Sequence, residues 1–110
     1  MKTVGLLENE RNALQKLKKA LEEQCGLIDF RVFGSKARGE AVPGSDVDVM
    51  IEIEDYNPRA ESAIDDIVFK INLEYDCFIS AVIFGRRELE EGPLGESPLY
   101  RVIEREGIAV

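Results

Sequence analysis

Apolar residues recur along this chain with two different periods, and each period predicts a different element. Between about residues 7 and 24 they return every three or four positions, which predicts an amphipathic helix that stops at Gly26. A second helix is predicted at about residues 59–74, after the turn signal Asn57-Pro58. The stripe of the first helix comprises Leu7, Leu14, Leu17 and Leu21.

Alternation of apolar and polar residues predicts two strands, at residues 27–33 and 46–54, and a run rich in branched and aromatic residues predicts a third at residues 77–84. A loop containing Pro43 and Gly44 separates the first two. The clearest alternation belongs to the second strand. One of its faces carries Val47, Val49, Ile51 and Ile53, and the other carries Asp46, Asp48, Met50, Glu52 and Glu54.

The end of the chain carries the signals of a last helix. Ser97-Pro98 is typical of an N-cap followed by proline at the first helical position, and Gly107 is expected to end the helix. Strands therefore alternate with helices along the chain. This order predicts an α/β fold in which helices flank a small mixed sheet, within a single domain of residues 1–110.

The amino-acid composition excludes several classes of catalytic and metal-binding site. The chain has no histidine, which excludes Ser-His-Asp and Cys-His catalysis and the histidine-based zinc motifs. A metal would need oxygen ligands, which suit Mg²⁺ or Mn²⁺. Its 22 acidic and 14 basic residues give a net charge of −8, so a long nucleic acid is an unfavourable partner. Neither a membrane span nor a signal pattern is apparent, and we expect a cytoplasmic protein.

Phosphate chemistry is indicated where the first strand ends, at the segment GSKARG. Gly34 allows the backbone to approach a phosphate closely, and a helical turn starting near Ser35 would present amide N–H groups to an anion. The hydroxyl group of Ser35 adds a donor. The alternative is a tight turn in which Gly39 has a positive φ angle.

Two carboxylates follow at the start of the second strand. Asp46 and Asp48 are two residues apart and therefore project from the same face. They would repel each other unless a cation lay between them, and a divalent metal that also binds triphosphate oxygens would satisfy both. The alternative is a solvated polar face. The combination of the glycine-serine corner with the acid pair favours a nucleotide site.

These residues resemble the signature of the polymerase-beta-like nucleotidyltransferase superfamily, which is Gly-Ser, about ten residues, then Asp-x-Asp. The longer string FGSKARGEAVPGSDVDVMI is similar to the minimal nucleotidyltransferase branch, many of whose members are antitoxins encoded beside a HEPN-domain toxin. The resemblance implies that Gly34 and Ser35 hold the phosphates of ATP and that Asp46 and Asp48 bind Mg²⁺. For Arg38 the resemblance implies either a phosphate contact or a role in shaping the loop, and the alternative is an ion pair with a nearby glutamate.

Active members of this superfamily usually carry a third acidic residue on the next strand. Here that position falls on Phe78. Alternation would place Asp76 on the same face, one pleat away, so Asp76 is predicted as the substitute third catalytic acid. Glu52, on the acid face of the second strand, is a second substitute.

Two functions follow as expectations. The first is metal-dependent transfer of a nucleoside monophosphate, AMP from ATP, onto an acceptor such as a HEPN-type toxin. The alternative is a catalytically degenerate module that neutralises a partner by docking. Phe69 and Leu73 form an apolar pair opposite the main stripe of their helix. A second core layer is expected to cover them; if exposed, they would mark a partner or homo-oligomer interface.

Overall fold

The computed structural model describes residues 5–40 and 44–110, so Pro43 of the predicted loop lies outside the described residues. The helices are α1 (Glu8–Gln24), α2 (Gly34–Arg38), α3 (Pro58–Tyr75), α4 (Arg86–Glu91) and α5 (Pro98–Glu106), with a 3₁₀ turn at Pro93–Glu96. The strands are β1 (Leu27–Phe33), β2 (Val47–Ile53), β3 (Ile79–Gly85) and β4 (Ile108–Ala109). Of the helices in these ranges, none is long and apolar enough to cross a bilayer.

The strands form one mixed sheet in the order β3–β2–β1–β4. β1 runs antiparallel to both β2 and β4, whereas β2 and β3 are parallel. A parallel pair requires a crossover, and α3 supplies it by returning from the end of β2 to the start of β3. The C-terminal end of α3 therefore lies at the end of the sheet where β2 begins. The predicted α/β class with a small mixed sheet is confirmed.

Helices cover both faces of the sheet. The alternate apolar residues of β2 pack with α1 and α3 in one cluster and are fully buried, as predicted. Met50 points to the other face, where it packs with Phe33, Phe84 and Ile103 beneath α4 and α5. The central strand is therefore buried on both sides for most of its length, and only its start is left accessible to a ligand.

The predicted first helix is confirmed, apart from its first residue. Leu14, Leu17 and Leu21 are buried, but Leu7 precedes the helix with an extended backbone and is half exposed. The side chain of Glu10 turns back and accepts a hydrogen bond from the amide N–H of Leu7 at 2.9 Å. This interaction fixes the start of α1 as in a capping box, where an acidic residue satisfies a free amide.

The helix α3 begins and ends with identifiable signals. Its N-cap Asn57 accepts a hydrogen bond from the amide N–H of Ala60 at 2.9 Å. The helix ends where Asp76 adopts a left-handed conformation, with φ of 53° and ψ of 55°. β3 begins at Ile79, so the prediction that the third strand begins at Cys77 and that its alternation extends back to Asp76 is wrong. The expected second core layer over Phe69 and Leu73 is also absent from the described residues, since both side chains are exposed.

The segment between β3 and α5 is more ordered than its polar, glycine-containing sequence indicates. It forms α4 and the 3₁₀ turn, and Leu89 packs against the cluster around Met50. At the start of α5 the hydroxyl oxygen of Ser97 accepts a hydrogen bond from the amide N–H of Tyr100 at 3.1 Å. The predicted N-cap is thus confirmed.

Candidate active site

The chain turns sharply at the end of β1. Gly34 has a φ of +74°, a conformation that side-chain-bearing residues rarely adopt, and it begins α2 directly after Phe33. A Cβ atom at this position would lie 2.6 Å from Oδ2 of Asp48. Only glycine therefore permits both the turn and the close approach of this carboxylate. The structure brings the predicted glycine-serine corner and one of the two predicted acids into contact.

The amide groups of this corner suit an anion. The first turn of an α-helix leaves its N–H groups without intrahelical acceptors. Phe33 occupies the N-cap position of α2 and supplies no side-chain hydrogen bond to that turn. A phosphate group placed beside Gly34 and Ser35 would meet these donors, and the carboxylate of Asp48 would border it on the strand side.

Asp48 is the second residue of β2 and is partly buried, whereas Asp46 directly precedes the strand and is exposed. Burial raises the pKa of the Asp48 carboxyl group, and the negative charge of Asp46 raises it further. The positive charge of Arg38 opposes this rise. A divalent cation between the acids would remove their repulsion and stabilise the ionised form.

The raised pKa of Asp48 predicts an unusual pH dependence of stability in the absence of metal. The pKa of Asp48 is higher in the folded state than its ordinary value of 3.8, so the folded protein binds more protons at this group than the unfolded chain does. The contribution of Asp48 to the free energy of unfolding therefore falls as pH rises from 3.8 through the raised pKa. Urea unfolding at several pH values without Mg²⁺ should show that Asp48→Asn flattens this fall and stabilises the metal-free protein at neutral pH. An equal pH slope in both proteins would contradict it.

Arg38 is close enough to influence Asp48, but two carboxylates hold its guanidinium group. Its Nε donates to Glu40 at 2.8 Å, and its Nη1 donates to Glu106 at 3.0 Å. The hydrogen bond to Glu40, followed by that to Glu106, raises the pKa of Arg38. Of the roles left open by the sequence, the structure shows the ion pair.

A buried ion pair, which the sequence reasoning missed, supports the corner from behind. The Nζ atom of Lys36 lies 2.9 Å and 3.1 Å from the two carboxylate oxygens of Glu10, and both side chains are almost fully buried. The carbonyl oxygen of Lys36 accepts a hydrogen bond from the amide of Gly5 at 2.7 Å. The signal was present in the sequence, because Glu10 lies on the stripe that continues through Leu14.

The position expected to carry a third acid is occupied by Phe78, which is 63% exposed. Its carbonyl oxygen accepts a hydrogen bond from the amide of Val47 at 2.8 Å. Val47 and Ile79 are partners in the parallel pair, so Asp46 and Phe78, which precede them, are neighbours at the start of the two strands. Both buried partners point towards α1 and α3, and Phe78 therefore points to the face of the acids.

Neither predicted substitute joins the acid pair in the way the sequence suggested. Asp76 lies in the C-cap of α3 and does not share a strand face with Phe78. Glu52 is buried four residues beyond Asp48, about 13 Å along β2, and pairs with Arg86 at 3.2 Å. Within the described residues there is no group of three or more acids, cysteines or histidines placed to hold a metal. A cation here would take its remaining ligands from phosphate oxygens and water.

A separate cleft of about 610 Å³ opens at the opposite end of the sheet. It lies where β2 and β3 end, and charged residues on both of its sides line it. Neither Asp46 nor Asp48 contributes to this cleft. The cleft is therefore separate from the acid pair. The contact between Asp48 and Gly34 defines the candidate active site.

Comparison with known proteins gives a family and a fold. A model of the nucleotidyltransferase domain family matches residues 14–105. Protein adenylyltransferase MntA of Thermococcus cleftensis is 43% identical over 49 residues, which are 44% of this chain and 50% of that protein. A protein of Methanocaldococcus jannaschii, provisionally named a protein adenylyltransferase, is 39% identical over 57 residues, or 52% of this chain and 54% of that protein. The chain thus spans about half the length of the curated relatives it matches.

Two solved structures share the architecture. One, described as a minimal nucleotidyltransferase, has a TM-score of 0.64 and 24% identity, with 91% of each chain covered. The other is a toxin-antitoxin crystallised with AMP-PNP, with a TM-score of 0.61, 19% identity and coverage of 94% of this chain and 72% of that chain. At these identities the likeness concerns the fold.

Proposed function

The chain belongs to the nucleotidyltransferase domain family, and from this premise we propose that it transfers AMP from ATP to a hydroxyl group of a partner protein, using Mg²⁺ or Mn²⁺. The observation that carries the proposal is the carboxylate of Asp48 packed against Gly34, with Asp46 directly before the same strand. This arrangement allows protein carboxylates and triphosphate oxygens to share one cation.

Each residue of the site has a distinct task in this proposal. Gly34 and Ser35 bind the phosphates through the amide groups of the first turn of α2, and the Ser35 hydroxyl adds a donor. Asp46 and Asp48 hold the metal, which when bound neutralises phosphate charge and orients the triphosphate. Arg38 is paired with Glu40 and Glu106, so a contact between its guanidinium group and phosphate would compete with these two carboxylates.

The proposed step needs little covalent chemistry from the protein. A bond forms between the acceptor oxygen and the α-phosphorus, the bond from that phosphorus to the bridging oxygen breaks, and pyrophosphate leaves. The proton of the acceptor hydroxyl passes to solvent, because Phe78 occupies the exposed position beside Asp46 where a carboxylate base would stand. We therefore expect positioning and charge neutralisation to provide the catalysis, and turnover to be slow.

A protein acceptor is supported by the names of two relatives and by the toxin-antitoxin neighbour. The resemblance to minimal nucleotidyltransferases points to a HEPN-type toxin encoded nearby. We propose that this toxin is the acceptor, that its modification neutralises it, and that both proteins meet in the cytoplasm.

The proposal is tested with ATP labelled at either the α or the γ phosphate. The purified protein is incubated with the purified HEPN-type protein and Mg²⁺, with and without EDTA. AMP transfer places the α label, and not the γ label, on the acceptor and requires the metal. Transfer of the γ label would indicate a kinase, and an unlabelled acceptor would overturn the transferase proposal.

A second candidate function is a docking module without transfer. The exposed Phe78 at the third acidic position and the exposed pair on α3 favour it. It predicts that the HEPN-type protein binds the chain and is inhibited without acquiring a label. Inhibition that requires ATP and Mg²⁺ would contradict this alternative.

The contact between Gly34 and Asp48 yields a prediction with an internal control. Gly34→Ala and Gly39→Ala introduce a methyl group at opposite ends of α2, both at a φ of +74°, where a side chain is unfavourable for the backbone. A Cβ at Gly39 meets nothing within 4 Å, whereas one at Gly34 displaces the Asp48 carboxylate. Calorimetry should show affinity for ATP with Mg²⁺ about 10-fold lower in Gly34→Ala only. Equal affinities in the two variants would separate Asp48 from nucleotide binding.

A further inference from the structure

Two exposed apolar side chains form a ridge on the outer face of α3. Phe69 is 62% exposed and Leu73 is 70% exposed, and their i, i+4 spacing places them side by side. Other residues of the same helix, Ile64, Val68 and Ile71, are buried against the sheet. The ridge formed by Phe69 and Leu73 therefore makes no contribution to the core that would explain its apolar character.

Acidic residues border this ridge at both ends. Asp65 and Asp66 lie one turn before Phe69, and Asp76 lies three residues after Leu73. One cation, Lys70, lies nearby and is paired with Asp66 at 2.9 Å. With three acidic residues and one basic residue, the surface around the ridge carries a net negative charge. A surface that fits the ridge would combine apolar side chains with lysine or arginine on either side.

The ridge lies near the same end of the sheet as the candidate active site but on its opposite side, because α3 packs on the apolar face of β2 and the acids lie on the other face. Leu73 is close to the C-terminal end of α3, which lies at the end of the sheet where β2 begins. The side chain of Asn72 joins this helix end to β3, since it accepts from the amide of Ile79 at 2.8 Å and donates to the carbonyl of Ile79 at 3.2 Å. Phe78, the next exposed apolar residue, immediately precedes that contact and neighbours Asp46.

We infer that the ridge of Phe69 and Leu73 is the docking surface for the protein acceptor, and that the acceptor presents apolar side chains flanked by basic residues. The inference rests on the proposed function. A second copy of this chain fits poorly, because a two-fold contact would bring the acidic borders of both ridges together in a chain of net charge −8. β3 is an edge strand, so a partner docked on the ridge would reach the acids by extending around the start of β3, past Phe78, and would deliver its hydroxyl group there.

The test compares the double variant Phe69→Ser/Leu73→Ser with a matched control, Leu94→Ser/Leu99→Ser. The control removes two residues that are also exposed, at 40% and 43%, but lie near α5. Dissociation constants for the purified HEPN-type protein are measured by calorimetry, together with affinity for ATP and Mg²⁺. We expect the ridge variant to bind the HEPN-type protein at least about 30-fold more weakly and the control to bind it normally, with ATP affinity unchanged in both.

Charge is tested separately with Asp65→Lys/Asp66→Lys, which should weaken binding of the HEPN-type protein and reduce its salt dependence. Normal binding by the ridge variant, or no binding by the wild type, would overturn the inference. Sedimentation that shows a wild-type dimer dissociated by the ridge substitutions would also overturn it in favour of a second copy. If the ridge variant loses binding and the wild type transfers no AMP, the transferase proposal is wrong, but the ridge is still the docking surface.

Discussion

Asp48→Asn is expected to reduce the rate of AMP transfer by at least about 10²-fold, with little change in the fold. Asparagine keeps the size of the side chain beside Gly34 but removes the charge that would hold a divalent cation. Metal-assisted charge neutralisation contributes several kcal/mol to such reactions, and each 1.36 kcal/mol corresponds to a tenfold change in rate. Single-turnover labelling with α-labelled ATP at saturating Mg²⁺ measures the effect. Asp46→Asn should produce a loss of similar size.

Asp76→Asn provides the control for this prediction. Asparagine tolerates the left-handed conformation at the end of α3 as well as aspartate does, so the fold should persist. Since Asp76 belongs to a helix cap and not to β3, we expect the transfer rate to stay within about twofold of wild type. A large loss in Asp76→Asn would restore it as the third catalytic acid, and normal transfer by Asp48→Asn would remove the two-acid site altogether.

The parts of the site that the sequence predicted are those encoded by local patterns. The alternation in β2 places Asp46 and Asp48 at the start of a buried strand, and burial of its apolar face fixes the register of every side chain. The glycine-serine corner follows directly from the end of β1. What the sequence could not give is the contact of Asp48 with Gly34, because it depends on how β1 pairs with β2.

The predicted start of β3 is two residues too early, because the end of α3, and not the pattern of the strand, decides where β3 begins. The sequence YDCFIS alternates well enough to begin a strand early. In the structure, Asp76 ends α3 in a left-handed conformation, and Asn72 binds both backbone groups of Ile79. The geometry of the crossover helix, and not the alternation, thus sets where the parallel strand begins and which residue lies beside Asp46.

Ion pairs between residues distant in sequence account for most of the other features of the site that the sequence did not predict. Arg38 finds one of its carboxylates on α5, 68 residues away, and no local pattern indicates that partner. Lys36 and Glu10 are 26 residues apart, and charged residues in such a motif are ordinarily expected to face solvent or ligand. The buried stripe of α1 does point to Glu10, but identifying its partner requires the path of the chain from β1 into α2.

Glu10→Gln is expected to lower the free energy of unfolding by about 3–5 kcal/mol, because it leaves the ammonium group of Lys36 buried without a counter-charge. The substitution preserves side-chain volume and an oxygen for the amide of Leu7, so loss of charge is the main change. Urea unfolding at neutral pH measures the difference. The control is Glu74→Gln, which breaks the Lys16–Glu74 pair of 2.7 Å in which both side chains are half exposed. It should leave the free energy of unfolding close to the wild-type value, because exposed ion pairs contribute little to stability.

Replacing both members of the buried ion pair separates two contributions to the free energy of unfolding: the cost of leaving one charge unpaired and the stabilisation provided by the pair itself. Apolar side chains of similar volume often replace a buried ion pair without loss, so Glu10→Leu/Lys36→Met should recover most of the stability lost in Glu10→Gln. Lys36 also joins α1 to the turn that begins at Gly34, and an apolar contact is less directional than a carboxylate held at 2.9 Å and 3.1 Å. We therefore expect the stable double variant to bind ATP and Mg²⁺ more weakly than wild type. A double variant as unstable as Glu10→Gln would show that the ion pair itself, and not the avoidance of an unpaired charge, stabilises the base of the corner.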